Sequence, residues 1–591
     1  SSDVCSSDLA NANAHHFEVE LDIKQPDPNG QLLSLPAWIP GSYMVRDFAK
    51  NILWIRARSS IANGSADSDE VAIEKIDKQS WRCDPCSGTL SICYAVYAWD
   101  LSVRSAHLDQ THAFINGSSL FLSVANREKQ KCHLNIISPS DFPEWKVATA
   151  MPIDKVNSRG FGNYLCSDYE ELIDHPIEIG SFVRGDFSVH GVPHSIILTG
   201  RQSADLARIT NDLSKICEYH CNFFGDKKPP MQQYIFLTTV VGSGYGGLEH
   251  RDSCALICSR EDLPLSDRGK IDDGYRKFLG LCSHEYFHLW NIKRIRPTQF
   301  YPYRLDAEVY TKQLWAYEGI TSYFDDLALL KCGLISRESY LELLSETLTR
   351  VERNRGKEIQ SVTDSSFDAW TKFYKQDENA NNAIVSYYTK GAVIALMVDL
   401  WLQQESSGKY SLKNVMKDLW QQHGTTALGT DEKTIEKLCH KVAILASGRD
   451  IPFLTAALYS TKQMIVEPLL KKDGVKIEFT TTPFKPSTHK TLNWLGAELN
   501  FSSHKSAEVR TVRNDSPIQQ AGVSAGDTII AIDHIQASIK SAKMTLKYKQ
   551  IGDSITIHLF RRDELMELKV VVAAELNNYI KLTILDNNKK S

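Results

Sequence analysis

Apolar and polar residues alternate with period two through much of the stretch from Asn11 to Val192, most plainly in Phe17-Glu-Val-Glu-Leu-Asp-Ile23. Such alternation marks strands with one buried face. It recurs in parts of Leu53–Arg58, Leu90–Ala98, Phe114–Val124 and Cys132–Ile137, with Gly, Asn, Pro and Ser between the runs. An all-β region is therefore expected. From Ser203 the period becomes helical. Asp205–Phe223, Tyr275–Trp290, Lys312–Leu330, Arg337–Arg353, Gly391–Gln403 and Tyr410–Gln422 each read as helices. Thr430, followed by Asp431 and Glu432, reads as a helix start with favourable N-terminal charge. Gln233–Val241 is a β-branched run and reads as a strand. Arg355–Asn382 is polar and aperiodic and reads as a surface excursion. Pro483–Thr488 reads as a linker, beyond which strands return. Ser1–Leu9 shows no period and is expected to be foreign to the fold.

The chain has 591 residues, room for several domains. Its composition, 42% hydrophobic and 24% charged, is that of a globular protein. A net charge of −5 with no long basic run argues against nucleic acid as a partner. The longest apolar run, Ala392–Leu402, is too short to span a membrane and contains Asp399. Thirteen scattered cysteines, an odd number, suggest reduced thiols and a cytoplasmic location rather than a disulfide framework.

Residues 284–288 read His-Glu-Tyr-Phe-His. Histidines four apart on a helix sit only about 40° apart around its axis, so both rings reach one ion. Glu318, thirty residues beyond His288, offers a third, oxygen ligand. His284, His288 and Glu318 with an open fourth position form the expected ligand set of one catalytic zinc ion. Glu285 lies beside them and is placed to take a proton from water activated there.

Gly242-Ser-Gly-Tyr-Gly-Gly247 matches the spacing of a dinucleotide loop, but Leu248–Cys258 reads as strand, so the helix that would receive a pyrophosphate is missing. Gly246 and Gly247 instead suggest an edge strand along which a substrate backbone lies. Lys293, Arg294 and Arg296 read as a salt-bridged loop more readily than as a carboxylate site. Asp325, seven residues beyond Glu318, shares its helix face and is a candidate to orient a ligand histidine. Cys83-Asp-Pro-Cys86 lacks a partner pair at metal-site spacing.

The segments His284–Pro297 and Tyr317-Glu-Gly-Ile-Thr-Ser-Tyr-Phe-Asp-Asp326 resemble the glycyl aminopeptidase family of gluzincin zinc metallopeptidases. Trp38-Ile-Pro-Gly-Ser-Tyr-Met-Val-Arg-Asp-Phe48 and Trp99-Asp-Leu-Ser-Val-Arg104 carry the same likeness. The resemblance implies a multidomain α+β protein. It would have an N-terminal β-rich domain (11–192), a thermolysin-like, mainly helical peptidase domain (193–482) and a C-terminal PDZ domain (488–576). It implies release of N-terminal Gly or Ala from peptides. By position, Glu249 in Gly-Gly-Leu-Glu-His250 matches the carboxylate that holds the substrate's free amine, although His250 replaces the commoner Asn. Tyr388, in Tyr-Thr-Lys-Gly391, matches the tyrosine that donates to the oxyanion, with Tyr387 its adjacent competitor.

Ser516–Ile532 looks like the core of a PDZ domain, and Trp494-Leu-Gly-Ala497 stands where its carboxylate-binding loop belongs. A peptide C-terminus is its expected partner. Two other readings compete with the aminopeptidase: a zinc endopeptidase, and a PDZ-bearing binding protein on a protease fold. All four motif residues, His284, Glu285, His288 and Glu318, are present, which favours an enzyme.

Overall fold

A computed structural model describes residues 3–60, 69–265, 269–484, 490–501 and 505–585. The chain is a multidomain α+β protein with a β-rich N-terminal region and a helical middle. It divides into two compact units. One comprises residues 1–310, 324–335 and 416–431, and the other 311–323, 336–415 and 432–591.

In the first unit an eight-stranded sheet is built around the strand His16–Lys24. Phe17, Val19, Leu21 and Ile23 are buried there while Glu18 and Glu20 are exposed, the pattern the alternation predicts. Asp3–Asn11 corrects the expectation that the start of the chain stands outside the fold. It pairs antiparallel to His16–Lys24 and parallel to Cys132–Ile136. Pairing of this kind uses backbone groups and needs no apolar pattern, so the pattern gave no warning. Phe114–Val124 is not one strand: it breaks into His112–Ile115, a helical turn at Gly117–Ser119, and Ser123–Val124.

The same unit carries a five-stranded sheet. Its order is Val183–Val189, Val192–Thr199, Tyr234–Val241, Ser253–Ser259 and Tyr245–Glu249. The last strand pairs with Ser253–Ser259 and with no other strand among the described residues. Helix Leu206–Phe224, capped by the Asp205 carboxylate, packs against helix Asp273–Phe287. Aromatic rings fill the contact: Phe224 stacks on Trp290 at 4.7 Å and Phe223 meets Phe287 edge-on at 5.6 Å.

In the second unit, helix Arg337–Arg353 lies where its period predicts. Arg355–Asn382 is not a plain excursion. It holds four short helical segments, and Val362 and Trp370 are buried. Short turns separated by polar residues leave no sustained period to read. Thr430 starts no helix either. It is buried, its N–H bonds Arg296 O and its carbonyl receives Thr298 N–H, and the helix begins at Thr434. Glu432 instead accepts from Lys312 N–H at 3.0 Å.

Among the described residues, the strands from Thr491–Trp494 to Glu564–Val571 form one sheet around Trp494, Leu499, Val509, Ile529, Ile557 and Leu559, while Tyr579–Ile584 pairs separately with Val475–Thr480. Most of the linker, residues 485–488, lies outside the described residues. Leu495 and Gly496 have φ of 50° and 97° and make a two-residue hairpin turn. Strand Ala497–Phe501 is therefore paired on both sides, by Thr491–Trp494 and by Ala507–Val512. The sheet is tied to the helices of its unit. Asn382 donates to Val512 O and accepts from Asn514 N–H, each at 2.8 Å, and Arg355 pairs with Asp515 at 2.7 Å.

Candidate active site

His284 and Glu285 lie in the last turn of helix Asp273–Phe287, whose first turn is capped by the Asp272 carboxylate on Tyr275 N–H at 2.8 Å. His288 follows directly, with its N–H on His284 O at 3.3 Å. The two Nε2 atoms face each other at 3.0 Å. Each ring is held from behind. His284 Nδ1 meets Asp325 Oδ2 at 2.9 Å, and His288 Nδ1 meets Asn291 O at 2.8 Å. An acceptor at Nδ1 places the proton there and leaves Nε2 a bare lone pair. Two such lone pairs facing each other repel, unless a cation lies between them. The donor set thus fits a divalent metal. His284 and His288 belong to the first unit, and Glu318 belongs to the second.

Asp325 is half-buried, and desolvation raises its carboxyl above the ordinary value against the pull of His284. Its backbone carbonyl receives Ser283 Oγ–H at 2.8 Å, and Ser283 Oγ lies 2.9 Å from His220 Nε2. Burial holds the His220 pKa down to about 3, so this ring is neutral.

The edge strand Tyr245–Glu249 runs beside the histidine helix. Glu249, 4% exposed, has a carboxylate oxygen within 4.8 Å of ligand atoms on Glu285 and His288. A Cβ on Gly247 would stand 2.1 Å from Glu285 Oε1, whereas one on Gly246 would meet nothing within 4 Å. Period two puts these glycines on opposite faces. Gly247 lets the strand close on Glu285, and Gly246 leaves its other face open.

A loop of the β-rich region completes this part of the site. Trp38 Nε1 donates to Arg304 O and Ala307 O, both at 3.0 Å, and Tyr43 stacks on Phe300 at 6.0 Å. Gly41, at φ +92°, lies between these anchors against the Glu249 carboxylate. The aromatic residues of the Trp38–Phe48 motif thus hold the loop, and its glycine makes the contact.

Two models of peptidase domains match the chain: the peptidase M61 N-terminal domain over residues 6–181 and M61 glycyl aminopeptidase over residues 277–394. An aminopeptidase N family protein of Idiomarina loihiensis has a crystal structure with 44% identity, covering 99% of both chains at a TM-score of 0.93. The chain belongs to the M61 peptidase family. Curated DegP-like proteins, probable periplasmic serine endoproteases of Brucella suis and Brucella abortus, are 26% identical over 134 residues. That is 22% of this chain, which spans a quarter of the length of those relatives.

In this M61 peptidase Glu318 is 1% exposed and lies in a widened helical turn, Trp315–Ile320. That turn crosses helix Tyr387–Glu405 at backbone contact. A Cβ on Gly319 would stand 2.5 Å from Gly391 Cα, and one on Gly391 would stand 2.5 Å from Trp315 O. Gly391 of the Tyr-Thr-Lys-Gly motif is thus a packing residue. It brings the start of its helix toward Glu318: the buried Tyr387 phenol is pushed well above its ordinary pKa by desolvation, then by Tyr374 and Glu318. Tyr388 is half-buried and stacks on Tyr387 at 4.8 Å and on Phe373 at 5.5 Å.

The basic loop is salt-bridged. Lys293 meets Asp174 at 3.0 Å, Arg294 meets Asp252 at 2.8 Å and Arg296 meets Glu170 at 2.7 Å. His250 belongs to the same network, with Nδ1 3.0 Å from Asp174 Oδ1. Sequence reading missed Asn291, whose contribution is a carbonyl, a group every residue carries. Next to it Ile292 sits at φ 112°, a strained value for a β-branched residue. That backbone turn sits beside the carbonyl that holds His288. The contact of Gly41 was also missed, although its motif had been noticed.

Proposed function

We propose that this peptidase is a zinc-dependent aminopeptidase of the gluzincin type that removes N-terminal residues, with Gly and Ala preferred. The observation that carries the reading is a buried Glu249 carboxylate within 4.8 Å of both Glu285 and His288. A carboxylate there gains nothing from water and stands one residue's length from the hydrolytic pair. It suits a substrate ammonium, held by charge-assisted hydrogen bonds. Gly41 packed on that carboxylate supports a site closed beyond the first residue.

His284, His288 and Glu318 would hold the zinc, whose chemistry is to polarise the scissile carbonyl and acidify water. Glu285 takes the proton of the attacking water and delivers it to the leaving amine. Tyr388 donates its phenol to the developing oxyanion. Gly246 and Gly247 leave the edge strand's backbone open to the substrate's backbone. We assign the sheet of residues 488–576 to a PDZ domain. Its pairing on both sides of Ala497–Phe501 means that a peptide can join that strand only by displacing Thr491–Trp494.

The test uses Gly-, Ala- and Leu-starting peptides, free and N-acetylated, with wild-type and Glu249→Ala protein, followed by mass spectrometry. Wild type is expected to cleave free peptides one residue at a time and to reject the acetylated ones. The charge-assisted bond is worth roughly 1.5–3 kcal/mol, so Glu249→Ala loses about ten- to a hundredfold of that discrimination. Internal fragments as first products, or equal cleavage of blocked and free peptides, would make the enzyme an endopeptidase.

A further inference from the structure

The hairpin of strands Ala106–Leu108 and His112–Ile115 carries a second cluster that peptide hydrolysis does not use. His107 pairs across with Phe114, and Phe114 pairs on its other side with Glu178 of strand Ile177–Gly180. His112 lies two residues from Phe114, so His107, His112 and Glu178 share one face of the sheet. All three are buried, at 4%, 6% and 2% exposure. Asp109 sits in the turn between the strands. Its Oδ1 accepts from Thr111 N–H at 2.6 Å and from His112 N–H at 3.2 Å. That leaves Oδ2 facing His107 Nε2 at 3.0 Å.

We propose that His107, Asp109 and His112 form a second divalent transition-metal site, of the zinc class. Three observations meet here. Ligand atoms of these residues lie within 4.8 Å of one another. His112 Nδ1 meets the buried Glu178 Oε1 at 2.8 Å, as His284 meets Asp325. A carboxylate behind the ring fixes its outer nitrogen as a ligand. The third is His107 Nδ1, a buried ring nitrogen with no hydrogen-bond partner, so no protein group fixes which way this ring presents its lone pair.

The cluster opens on a cavity of about 730 Å³, also lined by Trp99, Leu101, Val183 and Thr199. Trp99 is 53% exposed and meets the His15 ring at a tilt, 4.0 Å away, and its ring lies 4.9 Å from His107. The Trp99–Arg104 motif therefore borders this cluster. Three protein ligands with an accessible side leave a coordination position for water or a small oxygen donor.

The test is metal stoichiometry in the full chain. Protein loaded with excess zinc and gel-filtered is analysed for zinc per chain by elemental mass spectrometry. Wild type is expected to hold two equivalents, and His284→Gln/His288→Gln protein one. Adding His107→Gln to that double variant should remove the remaining equivalent. So should Asp109→Asn, which keeps an oxygen to cap the turn and so guards against a folding failure. Cobalt loading of the double variant should give visible d–d absorption that Asp109→Asn abolishes. One equivalent in wild type and none in the double variant would overturn the site. Zinc uptake unaffected by His107→Gln or Asp109→Asn would overturn it equally.

Discussion

Gly41 and Glu249 are in contact such that a Cβ on Gly41 would lie 2.6 Å from both carboxylate oxygens of Glu249. The two residues are more than two hundred positions apart in the chain. One belongs to a loop of the β-rich region and the other to the edge strand beside the histidine helix. Gly41→Ala must displace the carboxylate, and at φ +92° it also strains the loop. The carboxylate is the softer of the two, so function should suffer more than folding. Peptide hydrolysis is expected to lose at least about tenfold in kcat/KM, with a thermal midpoint within a few degrees of wild type. Wild-type kcat/KM in the Ala variant would mean that Glu249 does not need its observed position.

Neighbouring glycines on the edge strand should respond differently to one methyl group. Gly247→Ala drives a Cβ to within 2.1 Å of Glu285 Oε1, whereas Gly246→Ala meets nothing within 4 Å. On the proposed roles, the first should lower kcat by roughly a hundredfold while metal content is kept, because Glu285 is displaced and the proposed ligands are not. The second should fold normally and act mainly through KM, on the face open to substrate. Paired steady-state kinetics on the two variants would check this. Equal losses in both would remove the distinction between the faces.

Asp325→Asn keeps an oxygen for His284 Nδ1 but removes the charge behind the ring. Losses of this kind cost metal affinity about ten- to a hundredfold. Competition titration against a chelator should show that drop for zinc, while far-ultraviolet circular dichroism stays unchanged. Unaltered affinity would mean that the Asp325 charge does not support His284.

Stability should fall with acid through a histidine outside the ligand set. Burial lowers the His220 pKa from 6.5 to about 3. The unfolded chain therefore binds a proton that the folded chain refuses, and the stabilising contribution is fully present above about pH 6.5. It is lost progressively as pH falls from there toward 3. Denaturant titrations at pH 7.5, 6, 5 and 4 should show a steeper decline for wild type than for His220→Gln. Parallel declines would show that His220 titrates normally in the folded chain.

Periodicity and spacing determined much of this protein unaided. Phe17–Ile23 alternates because one face of its sheet is buried, and Arg337–Arg353 repeats because one side of its helix is. His284 and His288 could be paired from sequence because a helix turns through a known angle in four residues, and nothing distant alters that. Failures came where the deciding partner is distant or is backbone. Asp3–Asn11 joins a sheet through main-chain pairing that its polar side chains do not advertise. Thr430 resembles a helix cap, yet its backbone pairs with Arg296 and Thr298. His288 is oriented by the carbonyl of Asn291, which no residue type signals. Leu495-Gly496, expected to offer N–H groups to a peptide, turns a hairpin whose strands occupy each other's edges. Tertiary structure alone set Gly41 against Glu249 and aligned His107 with His112 and Glu178. These meetings depend on how sheets and loops pack. Local propensity carries no record of which residues, far apart in the chain, that packing will bring face to face.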